Sequence, residues 1–366
     1  MADAKFIVGS SDKNEDLLFA TKFFACDDFV FMQKDERKIM VIGEFEYERA
    51  KKEAKVDELI KDTELNEKHP DVIGLYFKLF KEFGVESVAV SRNFPAGIAK
   101  ALTDRGIKIE FQNPLFPERA IKTPEEIEDI KRAQKATENA FRAVIKIFEA
   151  SEIREGKIWY AGEFLTSETL RLTFDIELAK NNCVAQATII SSGDQAAIPH
   201  CLGYGPLLAS SPIVMDMFPR SKKNWYWSDM TRTIVKGKLS DEAREMYQAV
   251  YETQMQCCEM VRAGADYGKI HEFSKKNLKG LGFETIVIES VKQGYTHSVG
   301  HGVGLEIHEE PFSRPDTILK PGHIITIEPG LYYLGIGGVR IEDTLVVTEE
   351  GYENLASIPK ELIELP

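Results

Sequence analysis

The sequence predicts an α/β N-terminal domain followed by an α+β domain. Three observations carry this reading. The chain has 366 residues, more than one ordinary domain and enough for two sizeable cores. Before the prolines Pro114 and Pro117, helix and strand signals alternate. Beyond them, helices and strands fall into blocks. Hydrophobic content of 43% against 29% charged residues describes a folded globular protein.

Taken in order, "EDLLFATKFFA" has helical spacing, and "FVFMQKDERKIMVIGEF" reads as two strands around a charged turn. "DVIGLYFKLFKEFG" is helical and stops at Gly84, "VESVAVS" is a strand, "AGIAKALTDRG" a helix and "IKIEF" a strand. Thr123, Pro124 and Glu126 form a capping box with proline at the first helical position, so a long helix should begin there. The proline-marked connector before it sets the boundary, giving domains 1–118 and 119–366. The second domain opens with helices over 124–150 and about 159–179. The runs "VAQATIISSG", "PIVMDMF" and "NWYWSDMTRTIVKG" are rich in strand formers. Two further helices lead to "HIITIEPGLYY" and "GGVRIEDTLVVT".

A net charge of −13 argues against a nucleic-acid surface, which needs a basic face, and against adsorption to an anionic membrane. The first residues lack the basic and apolar regions of a signal peptide, and no uncharged run suits a membrane helix. Five cysteines without CxxC spacing do not make a disulfide scaffold. A reducing cytoplasm is the compartment expected.

Three of the seven histidines, His297, His301 and His308, fall within "THSVGHGVGLEIHEEP". Histidine is the commonest metal ligand and proton shuttle, but a surface loop or satisfied core histidines would also account for them. Four acids on strand-like segments tilt the balance. Asp216 interrupts an apolar run. Asp229 shares a face with Thr231 and Thr233, Glu328 with Thr326, and Glu342 with Arg340 and Thr344. An acid pointing into a core is costly unless it is paired or holds a cation. Four carboxylates with one or two imidazoles suit hard or borderline divalent ions. They exceed the needs of one ion and fit two that share a hydroxide. Gly300 and Gly302 would let backbone approach an ion beside His301. No HExxH, dinucleotide fingerprint, phosphate loop or serine elbow competes.

Asp216, Asp229 in "SDMTRT", His301 in "GHGVGLEIHE", Glu328 in "IEPG" and Glu342 in "VRIED" together resemble the pita-bread (creatinase/aminopeptidase) metallopeptidases, which include Xaa-Pro aminopeptidase and Xaa-Pro dipeptidase (prolidase). The resemblance runs through the whole chain. It implies a dinuclear metal-dependent exopeptidase that cleaves Xaa-Pro bonds by a metal-bridging hydroxide. Asp216 would bind one ion, Asp229 and Glu342 would bridge both, and His301 and Glu328 would bind the second. Glu328 would also handle the proton of the attacking water. His200, in "SSGDQAAIPH", and His308 would hydrogen-bond the substrate carbonyl and its oxyanion. His297 would line the pocket, and Arg340 would neutralise and orient carboxylates. The ions implied are two per chain, Mn²⁺ foremost, with Co²⁺, Zn²⁺ or Fe²⁺ as alternatives. The partners implied are a peptide with proline at the second position and a second copy of the chain as a homodimer.

One departure stands out. The family usually has Asp-x-Gly with eleven positions between its two aspartates. Here Phe218 replaces the glycine and Asp229 follows Asp216 by 13 positions, two more. Two extra residues preserve side-chain parity in a hairpin, so both acids can still face one way, with the turn lengthened at "PRSKKN". Phe218 would narrow the pocket. A non-catalytic binding module and a metal-free creatinase-like C–N hydrolase are the competing functions, and both should have lost ligands that this chain keeps. His69, His271 and His323 read as structural, and the run Trp225, Tyr226, Trp227 as strand packing ahead of a pocket wall.

Overall fold

A computed structural model describes residues 2–65, 72–288 and 290–366, which leaves His69 outside the described residues. The chain divides into two compact units, Met1–Arg119 and Ala120–Pro366.

In the first unit, six strands form one mixed sheet. Their order is Glu58–Lys61, Arg37–Ile42, Phe29–Lys34, Ala4–Gly9, Ser87–Ser91, Lys108–Gln112. Alternation sends Phe6, Met32, Ile39 and Val41 to one face and Ile7, Phe31, Met40 and Ile42 to the other. Tyr76, Leu79 and Phe80 of helix Val72–Phe83 cover the first face, and Leu17 and Ala20 of helix Glu15–Thr21 cover the second. Burial on both faces explains why these strands read as apolar runs.

The second unit opens with helix Pro124–Glu149, capped as expected. The Thr123 hydroxyl accepts from the Glu126 amide, and Glu126 Oε2 accepts from the Thr123 amide at 2.9 Å. With helix Ser167–Lys180 it packs Phe141, Phe148, Leu170 and Phe174 against strands Cys183–Ser192, Ile213–Ser221 and Met230–Lys236. Helices Asp241–Glu259 and Tyr267–Gly280 cover strands Ile324–Ile327 and Asp343–Val347 through Cys257, Cys258, Tyr267 and Ile270. The two adjacent cysteines are therefore core residues.

Two sequence expectations are corrected. Residues 159–166 are not helical: Lys157–Tyr160 and Glu163–Phe164 pair in a small meander whose turns use Gly156 (φ 72°) and Gly162 (φ 95°). The helix starts after Thr166, whose hydroxyl accepts from the Thr169 amide. Nor are "HIITIEPGLYY" and "GGVRIEDTLVVT" single strands. The first breaks into Ile324–Ile327 and Gly330–Tyr333, and the second into Gly337–Arg340 and Asp343–Val347. Pro329 has no amide proton to continue a ladder. Both breaks leave a glutamate, Glu328 and Glu342, outside the regular strands.

Candidate metal centre

The hairpin of Ile213–Ser221 and Met230–Lys236 supplies the two aspartates. Asp216 stands opposite Thr231, and Asp229 lies two residues before Thr231, so all three share a face. Pairing continues past Pro219, with the Ser221 amide donating to Tyr226 O at 2.9 Å and the Ser228 amide to Pro219 O at 3.1 Å. The turn falls at residues 222–224, beyond the prolines' arm of the hairpin. The register of Asp216 with Thr231 continues to Arg220 opposite Trp227, and Phe218 is half-buried on the Asp216 face.

The threonines of "SDMTRT" then bind the broken strand to this hairpin. The Thr231 hydroxyl donates to Glu342 Oε2 at 2.7 Å, the Thr233 hydroxyl to Arg340 O at 2.9 Å, and the Thr344 hydroxyl to Asp229 O at 2.8 Å. Arg232 points the other way. Its guanidinium, fully buried, donates to Asp343 Oδ1 at 2.8 Å and to the carbonyls of Glu342 and Ile358 at 2.6 and 2.7 Å. So in "TRT" and "IED" alternate residues serve the site and its support.

His301 arrives on the glycine-laced segment. Gly300 and Gly302 do not make room for an ion: a Cβ at Gly300 would meet Thr326 O at 2.2 Å, and one at Gly302 would meet Glu309 O at 2.6 Å. The room they leave is filled by protein backbone, which draws His301 tightly against strand Ile324–Ile327. His301 Nδ1 lies 3.1 Å from Gly302 O, a carbonyl that only accepts, so Nδ1 carries the proton. Nε2 is left as a lone pair facing Glu328 Oε1 at 3.4 Å and Asp229 Oδ2 at 3.6 Å. Burial, then His308 nearby, lowers its pKa to about 3, so the ring is neutral.

Asp229, His301 and Glu342 each present a ligand atom, all within 4.8 Å of one another. Asp216 Oδ1, Asp229 Oδ1 and Glu342 Oε1 are buried with no hydrogen-bond partner. Burial, then the charges of Glu342, Asp216 and Glu328, pushes the Asp229 pKa well up. Burial and the neighbouring acids Glu328 and Asp216 do the same to Glu342. Burial raises Glu328 to about 8, Arg340 opposing and Asp216 adding to the rise. Orphaned carboxylate oxygens that repel one another beside a neutral imidazole nitrogen fit a divalent cation.

Arg340 Nη2 donates to Asp216 Oδ2 at 2.6 Å, and Nη1 donates to the Tyr332 hydroxyl at 2.7 Å. His297 Nδ1 lies 2.8 Å from Ser298 O and must donate to it, so Nε2 accepts from the Tyr332 hydroxyl at 2.8 Å. Both His297 nitrogens are thus engaged within the protein. Tyr332 joins His297 to Arg340 and was not anticipated. It lies four residues after Glu328 on the far side of the Pro329 break, where strand parity carries no signal. His200 and His308 are exposed. The His308 ring packs edge-on to His301 with centroids 4.3 Å apart. Loss of solvent in that contact, then His200 nearby, disfavours its charged form. His271 lies 3.4 Å from the Tyr295 hydroxyl, and His323 Nδ1 accepts from the Lys320 amide at 3.1 Å.

The acid shifts have a consequence for the metal-depleted protein. A folded-state value of about 8 for Glu328 lies above its ordinary 4.5, so the folded chain keeps a proton that the unfolded chain has released. That stability is present at low pH and lost as pH rises through about 8; Asp229 and Glu342 act in the same sense. The melting temperature of chelated protein should therefore fall between about pH 6 and 8, and the gain on adding Mn²⁺ should grow. Melting curves with and without chelator check this; a chelated protein that gains stability across that window would contradict it.

A metal-dependent hydrolase is the class that this fold and centre define. The family model for metallopeptidase family M24 matches residues 128–349, and the chain belongs to that family. It is an enzyme, a peptidase working with divalent metal. Over 345 residues the chain is 33% identical to the Xaa-Pro dipeptidase of Pyrococcus furiosus, covering 92% of this chain and 88% of that protein. A crystal structure of the prolidase from Pyrococcus horikoshii superposes with a TM-score of 0.81 at 27% identity, over 99% of this chain and 96% of that one. The Xaa-Pro dipeptidase from Bacillus anthracis gives a TM-score of 0.84 at 27% identity, over 100% of this chain and 95% of that one. The fold is the pita-bread fold, with an α/β domain before it.

Proposed function

We propose that the chain is a dinuclear metal-dependent exopeptidase that hydrolyses Xaa-Pro bonds, with Xaa-Pro dipeptides as its preferred substrates. The observation that carries this is the set of three buried carboxylate oxygens without partners around a neutral His301. A binding module or a metal-free hydrolase would have no use for such a set. The dipeptide preference follows the 33% identical Xaa-Pro dipeptidase.

Asp216, Asp229, His301, Glu328 and Glu342 would hold two divalent cations, Mn²⁺ foremost, with Asp229, His301 and Glu342 already gathered within 4.8 Å of one another. When bound, the cations supply Lewis acidity toward water and the scissile carbonyl. Glu328 takes the proton of the attacking water at its carboxylate and passes it to the leaving proline nitrogen. Deprotonated when the cations are bound, its carboxylate is free to accept that proton and return it. His200 and His308, exposed beside the centre, donate hydrogen bonds to the oxyanion that develops on the substrate carbonyl. Arg340 holds Asp216 in place and offsets the acid charge. His297, fixed by Tyr332, walls the pocket, and Phe218 narrows it. Among the described residues no helix is long and apolar enough to cross a membrane. A cytoplasmic homodimer without nucleic-acid or membrane partners completes the proposal.

A panel of Xaa-Pro dipeptides, longer Xaa-Pro peptides and proline-free controls, assayed with Mn²⁺, Co²⁺ and Zn²⁺, tests it. Cleavage confined to Xaa-Pro substrates, fastest for dipeptides, is expected. Turnover of proline-free peptides at equal rates, or of no Xaa-Pro substrate with any metal, would overturn it.

A further inference from the structure

The segment that follows His301 is closed on itself. Gly302 and Glu309 exchange backbone hydrogen bonds of 3.1 and 3.0 Å, so residues 302–309 form a loop with His301 just before it and His308 at its closing end. The Glu309 side chain turns into this loop: Oε2 accepts from the Glu306 amide at 3.1 Å, and a Cβ at Gly304 would meet its carboxylate at 2.2 Å. Glycine at 304 is thus needed for the carboxylate to lie across the backbone. Lys122, from the strand-like segment before the long helix, reaches Glu309 Oε1 at 2.6 Å, with side-chain exposures of 1% and 6% for the pair. On the outer side, Trp227 donates to the loop twice, from its amide to Gly304 O and from Nε1 to Leu305 O, both at 2.9 Å. Trp227 of the aromatic run is therefore buried against the histidine loop, while the Tyr226 hydroxyl donates to Glu126 Oε1 at 2.5 Å.

A buried lysine and glutamate are costly for a fold that needs only to be stable, because an apolar pair of similar volume does as well or better. What an ion pair adds here is direction: it fixes the loop from inside, one residue from His308. We propose that Lys122 and Glu309 are positioning residues that act through His308, holding its imidazole toward the substrate; this rests on the role given to His308 above. His301 has anchors outside this loop: the Thr326 amide donates to its carbonyl at 2.8 Å, and the backbone at Gly300 lies close against Thr326.

A double-mutant cycle on Mn²⁺-loaded protein tests this with whichever Xaa-Pro dipeptide the unmodified enzyme cleaves. Lys122→Met should lower kcat by about 10²-fold, the cost of a small misplacement, with KM and bound metal little changed. Lys122→Arg should recover most of the loss, and the His308 ring resonances should shift in Lys122→Met. In the His308→Ala background, Lys122→Met should have almost no further effect, because its target is gone. A loss of equal size in both backgrounds, a loss of metal like that of His301→Ala, or an unaltered kcat would overturn the proposal. Glu309→Gln carries the same arms if Lys122→Met does not fold. Failure of both to give folded, metal-loaded protein would make the pair a folding element and also overturn it. An unmodified enzyme that cleaves no peptide would instead count against the functional reading itself.

Discussion

His308→Ala is expected to slow turnover by about 10²–10³-fold, roughly 2.7–4 kcal/mol of transition-state stabilisation, while leaving bound metal nearly unchanged. His301→Ala is expected to deplete the metal. The two rings touch, with centroids 4.3 Å apart, yet their environments differ. His301 is buried and neutral, its proton on Nδ1 given to Gly302 O and its Nε2 turned to Asp229 and Glu328. That is the arrangement of a ligand whose tautomer is set by its second nitrogen. His308 is exposed, with its ring edge-on to His301. A lost oxyanion donor leaves the ground-state site intact, whereas a lost ligand raises the metal concentration needed for activity. Metal analysis beside kcat across a Mn²⁺ titration separates the two. If both variants lost metal equally and excess ion rescued both, this division would be wrong.

The parts of the fold and centre that could be read from sequence are those set by local rules. The capping box at Thr123 and Glu126 placed the start of the long helix to the residue. Period-two parity was enough to expect Asp216 and Asp229 on one face despite the longer hairpin, and the pairing of Asp216 with Thr231 bears that out. Acids where a strand should be apolar drew attention to Glu328 and Glu342. What was not legible depends on contacts between distant segments. Tyr332 matters because the Pro329 break turns its hydroxyl back toward Arg340 and His297. Asp343, next to Glu342 in the chain, neutralises the buried Arg232 and the half-buried Lys360. Lys122 sits 187 positions from Glu309, and nothing in "AIKTPEE" marks it as buried. The glycines beside His301 read as letting backbone approach an ion, but the approaching atoms are Thr326 O and Glu309 O. Composition cannot say what fills such a gap.

Complete removal of metal should abolish turnover, and this is the largest effect expected. Two ions are proposed from the number of donors at the centre. Glu342 gives Oε2 to the Thr231 hydroxyl and keeps Oε1 free of hydrogen bonds. Asp216 gives Oδ2 to Arg340 and keeps Oδ1. Asp229 keeps Oδ1 and turns Oδ2 to His301. Glu328 adds a further carboxylate beside the His301 nitrogen. Two divalent ions would offset the repulsion among these four carboxylates more fully than one, which is the ground for proposing a pair. The most direct measurement is a calorimetric Mn²⁺ titration of chelated, dialysed protein with Xaa-Pro dipeptidase activity followed on the same samples. The account expects activity to rise to its plateau only as a second ion per chain binds, with protons released as the raised carboxyls deprotonate. Full activity at one ion per chain, with no further binding at higher Mn²⁺, would contradict it.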